Sequence, residues 1–152
     1  MGYPSIYDAS TTQLLHARID QLTENKPAHW GKMTVGQMLS HCAVPYQQIL
    51  GVNTQQPPWF MRVILTLFLK KSMVNEVPYK QNLPTAPSFI RTETYDVAKE
   101  KESLKKYIQT IQEMGAEKLA ATPSLSLGKL SSLEWNNLLY KHIDHHLTQF
   151  GV

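Results

Sequence analysis

The sequence predicts an all-α protein, a four-helix bundle with one additional short helix. Three observations carry this. Four long stretches repeat apolar residues at helical spacing, two of them open on a capping box, and no stretch alternates apolar and polar residues as a half-buried strand would. The 152 residues are the length of one domain, taken here as a single unit, 1–152. A chain of this length buries roughly two thirds of its unfolded surface, so it needs no disulfide to stand.

The first helix is expected over residues 10–23, with Ser10 as N-cap, Leu15, Ile19 and Leu22 on one face, and Pro27 beyond its end. Thr34 and Gln37 form the capping box of the second helix. There Val35, Met38, Leu39, Cys42, Tyr46, Ile49 and Leu50 share a face, Pro45 should kink the helix, and Gly51 caps its C-terminus. Residues 57–73 start at Pro57 and Pro58, are apolar almost all round, and end near Lys70 and Lys71. Such a segment is expected in a core or a subunit interface. Residues 75–95 hold Pro78, Pro84 and Pro87 without periodicity and predict an ordered, irregular loop, long enough to act as a lid. Asp96 caps a helix expected to reach Met114 and stop at Gly115, with Leu104, Ile108 and Ile111 inward and a solvated charged face from Lys99 to Lys106. Ser131 and Glu134 make the second capping box, opening a helix that runs to Gln149, with Gly151 as its stop.

Composition narrows the functions. Fifteen basic against twelve acidic residues leave +3, too little and too dispersed for a nucleic-acid surface. The most apolar run, residues 59–69, reaches about half a bilayer core as a helix, so no membrane span is expected. The start MGYPSIYD does not read as a signal peptide. Cys42 is the single cysteine, which excludes a disulfide framework and a CxxC pair and fits a reducing, cytoplasmic setting.

The feature that demands an explanation is the histidines. Three of the six, His142, His145 and His146, fall within five residues. On a helical wheel with Trp135 at zero, His142 lies at about −20°, His146 at about +20° and Gln149 at about −40°. His142 and His146 therefore continue the core stripe, while His145 sits on the flank. Two imidazoles four residues apart stand one above the other, a spacing that suits two ligands of one metal ion. The alternative is two buried neutral histidines with hydrogen-bonded rings. A third ligand is required, and spacing leaves His16, His29, His41, Cys42 and the carboxylates open. Periodicity puts His41 about 120° from the centre of its helix's apolar stripe, a flank or surface position, though the expected kink at Pro45 loosens that placement.

The segments WGKMTVGQMLSHC (30–42) and YKHIDHHLTQFGV (140–152) together resemble an uncharacterised bacterial family within the DinB/YfiT superfamily. The superfamily's second-helix histidine and its final H-x-x-x-H-x-x-Q pattern match His41, His142, His146 and Gln149. The resemblance implies a four-helix bundle of mostly up-down-down-up type. It also implies a divalent metal, zinc or nickel, held by His41, His142 and His146 at one end, and a homodimer. Better-understood relatives are transferases or isomerases that use a low-molecular-weight thiol such as bacillithiol, mycothiol or glutathione. One departure is visible: members often carry a His-Pro-aromatic-aromatic-Gly stretch before the last helix, where this chain reads TPSLSLG, with Thr122 at the histidine position.

The functional expectation is a metal-dependent thiol S-transferase, or a related enzyme, acting on a small molecule. Gln149 would orient a ligand or bound water, and His145 would serve as an acid/base at the rim. Cys42 and Tyr46 are expected as inert core residues, His16 and His29 as surface or loop residues. The alternative is a non-catalytic dimeric bundle, binding a small molecule or related to stress, with residues 59–69 as its interface.

Overall fold

The computed structural model describes residues 2–152 and is all-helical, with no strand among them. The helices are α1 (Ala9–Asp20), α2 (Val35–Ile49), α3 (Trp59–Ile64), α4 (Lys70–Val74), α5 (Val97–Ala120) and α6 (Ser132–Gln149). A π-helical turn, Leu65–Leu69, joins α3 to α4 without a break. A short 3₁₀ turn, Pro87–Phe89, is the single regular piece of the 75–95 loop.

Both capping boxes form. Thr34 Oγ1 accepts from the Gln37 N–H at 3.2 Å, and the Gln37 side chain accepts from the Thr34 N–H at 3.0 Å. Ser131 and Glu134 repeat the exchange at 3.2 and 2.8 Å. Each box satisfies two of the four orphan donors at a helix start. The ends of α2 and α6 are alike too. Gly51 (φ 72°) and Gly151 (φ 71°) adopt the left-handed conformation, and the next residue donates back to the third-last helical carbonyl (Val52 to Gln47, 2.9 Å; Val152 to Leu147, 3.1 Å). These are Schellman endings. α2 continues through Pro45 as one helix.

α2 packs on α5 and α6, and α5 also on α1 and α6. Leu15 and Ile19, Met38 and Leu39, Leu104, Ile108 and Ile111, and Leu139, Ile143 and Leu147 meet in the shared core, as the apolar faces require. At roughly 25 cal/mol per Å² of apolar surface removed from water, this cluster is the main stabilising term.

Four expectations need correction. α1 starts earlier, after Asp8 rather than at Ser10, and stops at Asp20 rather than Thr23. It ends there because Lys101 of α5 donates to the carbonyls of Asp20 (3.0 Å) and Leu22 (2.9 Å), satisfying acceptors that a further turn would have used. Lys101 and Lys105, read as part of a solvated face, thus tie α5 to α1, and Lys105 adds an ion pair with Asp20 at 2.7 Å. α5 breaks at Gly115 (φ 81°, ψ 167°) as expected, but a further helical segment, not foreseen, carries it on to Ala120. Lastly, residues 59–69 are not buried within the chain. Trp59 is 77% exposed, Leu67 70% and Phe68 74%. None of the described helices is long and apolar enough to cross a membrane.

Candidate metal centre

α2 and α6 bring three imidazoles together. One ring nitrogen from each of His41, His142 and His146 lies within 4.8 Å of the others. The ring centroids are 4.6 to 4.9 Å apart. His142 and His146 turn inward as the wheel predicts. His41 contradicts its flank placement: it is 5% exposed. The cover comes from the 75–95 loop, whose Phe89 packs edge-on against the His41 ring and accepts from its Nδ1 at 2.9 Å. A helical wheel registers burial by another helix, not by a loop laid over the flank.

The hydrogen bonds fix two tautomers. A carbonyl oxygen only accepts, so His41 carries its proton on Nδ1, leaving an Nε2 lone pair. Gln149 does the same for His146. Its amide nitrogen donates to the Trp30 carbonyl at 2.8 Å, which turns Oε1 to accept from His146 Nδ1, also at 2.8 Å. Both Nε2 atoms are thus left unprotonated, each with a partner on the opposite side of its ring, the arrangement that orients histidines where they bind a metal. His142 Nε2 lies 2.9 Å from His41 Nε2. Because His41 Nε2 has no proton to give, His142 supplies the one at this contact in the metal-free chain.

Gln149 reaches Trp30 because residue 31 is glycine. A Cβ there would stand 2.6 Å from the Gln149 amide nitrogen, and φ is +80°. The His29 N–H adds a 2.8 Å bond to the Gln149 carbonyl, seating the 28–31 loop on the end of α6.

Burial disfavours the charged form of every ring in the cluster. It holds His146 at about 3, against an ordinary 6.5, and lowers His142 well below that value and His41 below it, with neighbouring imidazoles adding to the effect at His142 and His146. All three are therefore neutral at neutral pH, the form a metal ion requires. His145 is lowered by burial and raised by Asp144. It sits on the rim between Trp30 and Tyr79, with its ring 5.1 Å from His146.

A cavity of about 650 Å³ opens over the imidazoles. His41, His142, His145, His146 and Gln149 line it, as does the 123–127 segment that replaces the aromatic stretch of the resembled superfamily. Thr122 itself accepts from Trp135 Nε1 through its carbonyl, at 3.1 Å.

The remaining candidates stay away from the cluster. His16 bonds the Lys105 carbonyl at 3.0 Å, and His29 lies against Gly151. Cys42 is buried beside Met38 Sδ at 3.6 Å, and burial pushes its thiol far up, so it is inert. Tyr46 is buried in the core.

Sequence reasoning missed Lys141. It is 2% exposed, and its ammonium donates to the carbonyls of Ser72, Asn75 and Val77 and to Asn75 Oδ1, at 2.8 to 3.1 Å. Asn137, one turn before it, donates to the Val74 carbonyl at 2.9 Å. Together they clamp the end of α4 to the outer flank of α6, behind the histidines. The Phe89 carbonyl was likewise invisible, since a backbone acceptor leaves no mark in residue type.

A family model described as "Protein of unknown function (DUF1569)" matches residues 7–151. No curated protein and no solved structure matches the chain.

Proposed function

The chain belongs to the DUF1569 family of proteins of unknown function, and from that premise we propose that it is a DinB-like, divalent-metal-binding enzyme with His41, His142 and His146 as the ligands. The observation that supports this most is the pair of fixed tautomers, in which Phe89 and Gln149 each hold an Nδ1–H and leave Nε2 unprotonated, on rings that each bring a nitrogen within 4.8 Å of the others. Three neutral imidazoles suit zinc or nickel and leave a coordination position open. When bound, such an ion lowers the pKa of a thiol or water in that position.

The chain's own residues supply the rest. Gln149 and the Phe89 carbonyl keep the rings aimed. His145, neutral at the rim and within reach of the cavity, accepts the proton of an incoming thiol and returns one to the leaving group. Cys42 cannot be the nucleophile, so a low-molecular-weight thiol such as bacillithiol, mycothiol or glutathione brings the sulfur, and a small-molecule electrophile receives it. The architecture we propose is a single domain, 1–152, in which α1, α2, α5 and α6 form the four-helix bundle, in a cytoplasmic bacterial protein. A second copy covers the exposed face of residues 59–69, making a homodimer.

That exposed face and the cavity also favour a second reading, a dimeric binding or stress-related bundle without catalysis. The assays separate the two. Protein purified without a histidine tag carries about one divalent ion per chain by elemental analysis, and His142→Ala or His146→Ala loses it. If the unaltered chain binds no divalent ion more tightly than micromolar, the metal reading falls. Thiol-dependent turnover of an electrophile in the metal-loaded protein favours the enzyme; metal and ligand binding without turnover favours the binding module. Light scattering at the monomer mass removes the dimer.

A further inference from the structure

The cavity over the histidines has a wall whose chemistry indicates its occupant. Its sides are Ile49 of α2, Leu65 and Leu69 of the π-helical turn, Met73 of α4, and Trp135 and Leu138 of α6. Among the described residues that line it, no carboxylate or arginine appears, and Lys32, exposed at the mouth, is the one lysine. A charged group set against this wall, away from the histidine cluster, would find no buried counter-charge, and its desolvation would go uncompensated. A neutral, apolar molecule loses nothing polar on entry and gains by leaving water.

The helix across the cavity is built for such a wall. Leu65, Leu69 and Met73 recur every four residues. In a regular α-helix that spacing drifts by about 40° per step, carrying the third side chain away from the first. The π turn, closed by the Lys70 N–H on the Leu65 carbonyl, has an extra residue and absorbs the drift, so all three leucine and methionine side chains reach the cavity. Trp59, Leu67 and Phe68 point the other way, into solvent. The segment is apolar all round because it has two apolar tasks, one outward and one inward.

We infer that the cavity binds an uncharged apolar small molecule, an alkyl or aryl compound whose single reactive group meets the histidine cluster. The inference deepens the metal-enzyme reading and rests on it for the reactive end; the apolar wall supplies the substrate class.

The test uses the full, metal-loaded chain and the uncharged fluorophore N-phenyl-1-naphthylamine, competed by straight-chain alkanols of increasing length. One saturable site per chain is expected, with displacement tightening as the alkanol lengthens. Leu69→Asp, on the cavity wall, weakens the fluorophore at least tenfold, whereas Leu67→Asp, on the outer face, changes it less than twofold. Ile49→Asn provides a second cavity variant from a different helix, and circular dichroism establishes that each variant is folded. Equal weakening by Leu67→Asp would place the fluorophore on the outer face and overturn the inference, as would the absence of saturable binding. Metal content read on the same samples separates the two readings. Protein that loads metal but takes no apolar ligand overturns this inference alone. Protein that takes the ligand at the Leu69 face but holds no metal upholds the apolar site and removes the metal reading.

Discussion

Replacing Gln149 by leucine keeps the side-chain volume close and removes both ends of the relay from Trp30 to His146. Two polar groups lose a partner: His146 Nδ1–H and the Trp30 carbonyl. A buried orphan costs about 1–3 kcal/mol. His146 is buried, so the full penalty applies on that side. Trp30 is only partly buried, so water takes over its carbonyl and adds little. The expected loss of stability in the metal-free chain is therefore about 1–3 kcal/mol, the cost of one orphan rather than two. Freed from Oε1, the His146 ring can rotate or exchange its tautomer, and metal affinity should fall about 10- to 100-fold, the usual consequence of losing the partner behind a metal-binding histidine. Urea unfolding of the chelator-treated protein reads the first number, and competition against a chromophoric chelator reads the second. A variant destabilised as expected but binding metal within threefold of the unaltered chain would refute the reasoning, for Gln149 would then hold the fold and not the ligand.

Three further outcomes follow from the same geometry. Gly31→Ala should mimic the Gln149 variant in metal competition, because its Cβ would meet the amide at 2.6 Å and φ +80° is strained for alanine; affinity unchanged by the substitution would show the relay to be unimportant. The metal-free protein should lose stability on acidification: the unfolded chain protonates His146 near pH 6.5 while the folded chain resists down to about 3, so the contribution is complete above 6.5 and is lost through that window, at up to roughly 1.4 kcal/mol per pH unit. Urea midpoints at pH 7.5 and 5 test it, and His146→Asn should flatten the slope. Lys141→Met leaves the carbonyls of Ser72, Asn75 and Val77 without their donor, so hydrogen exchange over residues 70–80 should accelerate at least tenfold; unaltered protection would mean the clamp is redundant.

What the sequence made legible was whatever depends on one helix at a time. The boxes at Thr34 and Ser131 are local hydrogen-bond chemistry, and both form as read. His142 and His146 were placed by the same arithmetic that places Leu138 and Leu139. His41 and Lys141 were not, and for one shared reason. Each lies on the flank of its helix, and each is covered by chain outside the long helices, His41 by the turn at Phe89 and Lys141 by the end of α4 and the residues that follow it, 72–77. Periodicity compares a residue with its own helix and contains nothing about what a loop will lie on. His41 was recovered by resemblance alone. The end of α1 was lost similarly, since the lysine that stops it comes from α5, eighty-one residues along the chain. The apolar run at 59–69 was seen, but not the π turn that divides its inward from its outward face.

If the three histidines hold an ion as proposed, the bond from Phe89 to His41 couples the placement of the 75–95 loop to the uptake of that ion. By reciprocity, whatever steadies that bond would then tighten the ion. A nick in the loop would then loosen a metal that no loop side chain touches. An occupied cavity, pressing on Pro84 and Phe89 from within, would slow the ion's escape. Retention of such an ion would thereby depend on a stretch of chain with almost no regular structure of its own.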